Sequence, residues 1–106
     1  MARALVNVPK TAKRGDVVEI RTLISHEMET GYRPGPNGTI LPRNIITHFT
    51  CRYDGQTVFE AELSPAMSAN PYLVFPLRAT ASGPITLSWT GDNGFEQTET
   101  ATIEVT

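Results

Sequence analysis

Two histidines, a pair of nearby glutamates and one cysteine are the residues of this chain best equipped for chemistry. His26 stands beside Glu27 and Glu29, a grouping that could ligate a metal or share a proton between imidazole and carboxylate. The spacing matches no ligand motif: there is no HExxH, no CxxC and no third histidine. His48 falls on a strand face and His26 at a strand end, so both are expected as hydrogen-bonding residues. Cys51 shares its alternation with Phe49 and Tyr53, which predicts a small, buried, apolar group. A reactive or carrier thiol would want exposure near a flexible Gly-rich segment or a helix N-terminus, and neither surrounds Cys51. No serine lies in a GxSxG elbow and no Gly-rich loop resembles a phosphate cradle. The chain is therefore expected to carry no catalytic set, no metal and no cofactor, and to be no enzyme on its own.

Composition bounds what positions these residues. The 106 residues are 40% hydrophobic, enough for one core, and a single domain over 1–106 is expected. Nine Lys and Arg against eleven Asp and Glu leave a formal charge of -2, with no run of either sign. That argues against nucleic acid or a membrane surface as partner, since both need a concentrated positive face. One cysteine cannot close an internal disulfide, so the fold stands on packing. The longest apolar run, Tyr72 to Phe75, falls far short of the roughly 20 residues that span a bilayer. Lys10, Lys13 and Arg14 follow the short apolar stretch from Ala4 to Val8 rather than precede one, so no secretory signal is expected. A soluble chain is expected, cytoplasmic unless exported bound to a partner.

Short runs of Thr, Val, Ile and aromatic residues recur between Gly, Pro, Asn and Asp, without a helical apolar period. Strands are predicted over Ala4 to Val8, Val17 to Ser25, Asn44 to Tyr53, Gln56 to Leu63, Tyr72 to Ala79, Pro84 to Thr90 and Gln97 to Val105. The third and fourth meet across Asp54-Gly55, a dipeptide suited to the positive φ angles of a two-residue hairpin turn. About seven strands at intervals of about ten residues predict an all-β, antiparallel, immunoglobulin-like sandwich. Strand parity predicts a core of Val18, Ile20, Ile24, Phe49, Leu73, Phe75, Leu77, Ile85, Leu87, Trp89, Ile103 and Val105. Trp89 lies late and only one cysteine is present, so the architecture is immunoglobulin-like at most.

The segment from His26 to Arg43, HEMETGYRPGPNGTILPR, is too rich in Pro and Gly for a regular strand and predicts a long loop or a projecting hairpin arm. Met28, Tyr32, Pro34, Pro36, Leu41 and Pro42 give it apolar and semi-rigid groups, and Tyr72 follows Asn70-Pro71 in another connection. Two readings of these residues stay open: anchors for another protein, or braces of the loop against its own sandwich.

The stretches IRTLISHEMETGYR, LPRNIITHF, DGQTVFEAEL, PAMSANPY and SGPITLSWTGDNG, in this order and spacing, resemble the SoxZ family, the small subunit of the sulfur-carrier complex in bacterial thiosulfate oxidation. The resemblance covers nearly the whole chain. It implies an immunoglobulin-like sandwich paired with a SoxY subunit in the periplasm, exported with that partner. It also implies that sulfur intermediates ride on a cysteine in the partner's Gly-rich C-terminal tail, where separate enzymes visit them. This chain ends in TATIEVT, without glycine or cysteine, and so resembles the holder rather than the carrier arm. Within it, His26, Met28, Glu29, Tyr32, Arg33, Arg43, Asn70 and Tyr72 are the expected partner-binding residues. Glu27 stands where the family pattern has proline, and nothing in the resemblance asks for Cys51. The alternative is an unrelated β-sandwich recognition module for a saccharide or a surface protein. With eight aromatic residues in all, most assigned to the core, few are left to build a saccharide platform.

Overall fold

The computed structural model describes residues 3–106, so the first two positions of the domain expected over 1–106 lie outside the described residues. Alternation and turn chemistry produce eight strands: β1 (Ala4–Asn7), β2 (Thr11–Ala12), β3 (Val17–Ile24), β4 (Ile46–Tyr53), β5 (Gln56–Glu62), β6 (Tyr72–Arg78), β7 (Gly83–Gly91) and β8 (Glu96–Val105). A 3₁₀ turn, Asp92–Gly94, joins the last two. They build a three-stranded sheet, β1-β3-β6, and a five-stranded sheet, β2-β8-β7-β4-β5. All seven predicted strands form within two residues of their expected limits. The Asp54-Gly55 hairpin turn has both φ angles positive, +52° and +83°. The antiparallel expectation is corrected at one place: β2 runs parallel to β8, pairing Thr11 with Glu104 and Ala12 with Val105. Two residues are too few for an alternation to register, which is why this strand is invisible in the sequence.

Inward side chains of both sheets form one apolar layer, as period-2 patterning requires. Nine of the twelve expected core residues are buried, while Val18, Leu73 and Val105 pack at its rim. Phe49 is the hub, its ring 5.1 Å from Trp89, 5.8 Å from Phe75 and 6.1 Å from Phe59. Phe59 and Phe75 stack at 4.3 Å across the gap between the sheets. At one end the Tyr53 hydroxyl accepts from the Thr80 and Ala81 amides and donates to the Ala81 carbonyl, pinning the β6–β7 connection.

Where the chain enters β4, both Ile45 and Ile46 are buried, which strict alternation forbids. The register explains it. Ile46 pairs with Gly91 and His48 with Thr90, so Thr47 is an extra residue, a bulge that re-aims the strand. The bulge presses the backbone onto β7: a Cβ at Gly91 would stand 2.3 Å from the Ile45 carbonyl oxygen. Only glycine admits that approach.

Between β3 and β4 the chain forms a hairpin arm. Glu29 and Asn44 exchange backbone hydrogen bonds of 2.8 Å in both directions, the Leu41 amide donates to the Arg33 carbonyl at 2.9 Å, and Pro34 bridges Ile40. The long axis of the molecule measures 59 Å against 20 and 19 Å across.

Candidate functional site

The root of the arm is built by residues from three connections, β3–β4, β5–β6 and β7–β8. The Asn70 side-chain oxygen accepts from the His26 amide at 3.0 Å, and the Asn70 amide donates to the His26 carbonyl at 2.8 Å. Asn70 reaches this position at φ +56°, a conformation its short polar side chain tolerates better than most. The His26 ring stands edge-on to Phe95, with centroids 4.9 Å apart, and its Nδ1 accepts from the Met28 amide at 3.0 Å. Burial pulls the imidazole below its ordinary pKa, more strongly than Glu27 and Asp92 pull it up.

Arg43 closes the other side of the root. Its guanidinium makes two 2.8 Å bonds to the Asp92 carboxylate, which also accepts from the Ile45 amide at 3.2 Å. The Asp92 amide in turn donates to the Ile45 carbonyl at 2.9 Å. Hydrogen bonds from Arg43 and from the Ile45 amide hold the Asp92 carboxyl below the usual range.

Met28 departs from the expectation of a surface contact. It sits at φ +51° with its side chain buried, and its sulfur lies 3.3 Å from the Ile46 amide nitrogen. A left-handed residue reverses the direction of the chain locally, and here it turns an apolar thioether into the core. Met28 therefore braces the arm and is not available to a partner. Glu29 is also largely covered, locked by Arg33 whose Nη2 stands 2.5 Å from its carboxylate. That bond and the guanidinium charge keep Glu29 below the ordinary carboxylate pKa, against its burial. Tyr32, by contrast, is 78% exposed on the arm, and Ile40 is exposed across from Pro34.

Tyr72 belongs to a different surface. It points outward from β6, in register with Leu23 of β3 and, beyond it, Leu5 of β1. The eight expected residues thus divide into a root (His26, Met28, Arg43, Asn70), an arm pair with its tether (Tyr32, Arg33, Glu29), and Tyr72 on the sheet. Around Tyr72 lie residues that sequence reading left out. Leu5, Val17, Tyr72 and Val74 are each between 43% and 58% exposed on the outer face of the three-stranded sheet. Leu5, Asn7, Arg21, Leu23 and Tyr72 line a shallow groove there. The signal was present: the alternation that puts Glu19 and Arg21 outward puts Val17 and Leu23 there too.

The outer face of the five-stranded sheet is its chemical opposite. Thr50, Ser88 and Thr98 align across β4, β7 and β8, followed by Arg52, Thr86 and Thr100. His48 lies on this face, 3.9 Å from the Glu62 carboxylate, far from any role at the arm root. Among the described residues, no three His, Cys, Asp or Glu side chains converge to hold a metal ion. Cys51 is fully buried, and burial pushes its thiol up to about 11.

Comparison with known proteins adds family and fold. The family described as sulphur oxidation protein SoxZ matches residues 6–102. No curated relative matches the chain. Among solved structures, superoxide reductase (neelaredoxin) from Ignicoccus hospitalis superposes with a TM-score of 0.75 at 14% identity, covering 97% of this chain and 80% of that one. The sulfur carrier protein SoxY from Chlorobium limicola f thiosulfatophilum superposes with a TM-score of 0.67 at 13% identity, covering 97% and 78%. At such identities both likenesses are of fold alone.

Proposed function

This chain belongs to the SoxZ family, and we propose that it is the non-catalytic subunit of a sulfur-carrier heterodimer. In this reading it holds a SoxY-like subunit and helps present that subunit's covalently bound sulfur intermediates to thiosulfate-oxidising enzymes. The observation that carries the reading is the asymmetry of the two outer faces. Apolar surface left in water is unfavourable by about 25 cal/mol per Å², and exposed apolar clusters mark sites of association. Leu5, Leu23 and Tyr72 form a row across all three strands of one sheet, with Val74 in the next row beside Asn7 and Arg21, and Val17 at the far end of β3. The other sheet turns hydroxyls outward. We assign the apolar face to the carrier subunit and the exposed Tyr32, Arg33 and Ile40 of the arm to transient contacts with visiting enzymes.

The thiol chemistry supports the same division. Cys51 is the chain's one cysteine, closed to solvent and poorly ionised at neutral pH, so it is unsuited to bear a sulfur substrate. The carrier cysteine belongs to the partner. By the same family resemblance the complex works in the periplasm, this chain crossing the membrane bound to its folded partner.

Calorimetric titration against a purified SoxY-type subunit tests the assignment. The expected result is a one-to-one complex, weakened at least about tenfold by Leu5→Glu with Tyr72→Glu and unaffected by Thr98→Glu with Thr100→Glu. The reverse pattern overturns the choice of face, and no complex with the native chain overturns the partnership.

A further inference from the structure

The arm root holds one group that the proposed function does not use. His26 has a single basic site when neutral, and that site is occupied. The Met28 amide donates to Nδ1 at 3.0 Å, so the neutral ring carries its hydrogen on Nε2. A second proton can go only to Nδ1, where it would meet the Met28 N–H head on. Met28 is the residue that can least afford the loss. It is held at φ +51°, a left-handed conformation that a non-glycine residue keeps only where its surroundings fix it. The His26 ring and the buried Ile46 backbone are what fix it here.

We propose that the His26 imidazole is a pH-sensitive latch on the arm, closed while neutral and released on proton uptake. The groups facing the ring are Glu27 on its own segment, Asp92 from the 3₁₀ turn with Arg43 bound to it, and the uncharged ring of Phe95, while Asn70 from the connection before β6 holds the His26 backbone. Glu27 and Asp92 favour the cation, but burial outweighs them, so the folded chain takes up the proton less readily than an ordinary imidazole. The sign follows. A base with a lowered folded pKa contributes fully above its unfolded value of about 6.5, and that contribution is lost as pH falls from there through the folded value. Release would free the Met28 bend and with it the arm that carries Tyr32 and Ile40. The imidazolium would then compete with Arg43 for Asp92, loosening the second tie of the root.

Amide hydrogen exchange followed by NMR from pH 7.5 to 5, corrected for intrinsic exchange, tests the latch. The Met28 amide should lose protection by about tenfold or more relative to Ile20 in the core, along the His26 titration read from its ring nitrogens. The Glu29 and Gly35 amides, which donate to the Asn44 and Thr39 carbonyls, should follow it, His48→Gln should leave the transition in place, and His26→Gln should remove it. Three results on the native chain would overturn the proposal, whatever the variants do. They are a neutral ring protonated on Nδ1, Met28 protection unchanged through the His26 titration, or equal loss at Ile20.

Discussion

Replacing Cys51 by serine exchanges a weakly polar thiol for a hydroxyl at a position closed to water on every side. A hydroxyl buried without a partner is unfavourable by roughly 1–3 kcal/mol, so Cys51→Ser should lower the melting temperature. Sulfur loading of the complex should stay intact, because the thiol is packing and not chemistry; thiosulfate-derived adducts on Cys51 seen by mass spectrometry would contradict this. Asp92 shows the opposite case, a charge whose neighbours make it structural. Its carboxyl pKa is lowered, chiefly by the Arg43 hydrogen bonds and then by the Ile45 amide, so its contribution is present above the ordinary Asp value of about 4. It is lost as pH falls through the lower, folded value. Thermal unfolding between pH 2 and pH 6 should therefore show a decline at the acid end that is weaker in Asp92→Asn, which should also melt lower near neutrality. Equal pH profiles for the two proteins would place the charge outside the stability of the root.

At the level of elements, the arm is separable from the sandwich. Its outer part, from Arg33 to Leu41, is held by its own rungs and by the Arg33 bond to the Glu29 carboxylate, whereas Glu29 and Asn44 close the base below it. Replacing residues 33–41 by Asn-Gly should leave the melting temperature within a few degrees while removing exposed Tyr-flanking surface. A cooperative unfolding transition displaced by more than ten degrees would show that the arm braces the sandwich after all. The strands themselves were legible because each buries one face, which writes a period of two into β3, β4, β6 and β7. What escaped was local. The bulge at Thr47, which buries Ile45 and Ile46 together, depends on Gly91 far along the chain, and the burial of Met28 depends on a left-handed bend that no apolar period encodes. The arm was visible from its prolines and glycines, but which of its residues face inward was not: Met28 reads like an anchor and acts as a peg.

For the whole molecule, separation of surfaces is the consequence that matters. The arm is a hairpin set between β3 and β4, whereas Leu5, Leu23 and Tyr72 cross the outer face of the three-stranded sheet. Leu5 and Leu23 share a groove with Ser25 and Asn70 at the foot of the arm, so two partners bind together only where the visiting enzyme takes the arm beyond its root. Binding energy at interfaces concentrates on a few exposed aromatic and arginine side chains, so truncation at each surface should be felt by its own partner alone. Tyr72→Ala should weaken association with the carrier subunit by about fivefold or more. Tyr32→Ala with Arg33→Ala should leave that affinity unchanged and weaken the contact with one or more thiosulfate-oxidising enzymes by a similar factor. Removing Arg33 also releases the Glu29 carboxylate, so the enzyme contact should be measured at several salt concentrations to separate lost contact from gained charge. Titration of each variant against the carrier, and of each reconstituted complex against each enzyme, distinguishes three outcomes. Only the crossed pattern, one variant per partner, agrees with two surfaces; loss of carrier binding from the arm variant would merge them into one, and unchanged affinity everywhere with a lowered melting temperature would make both of them structural.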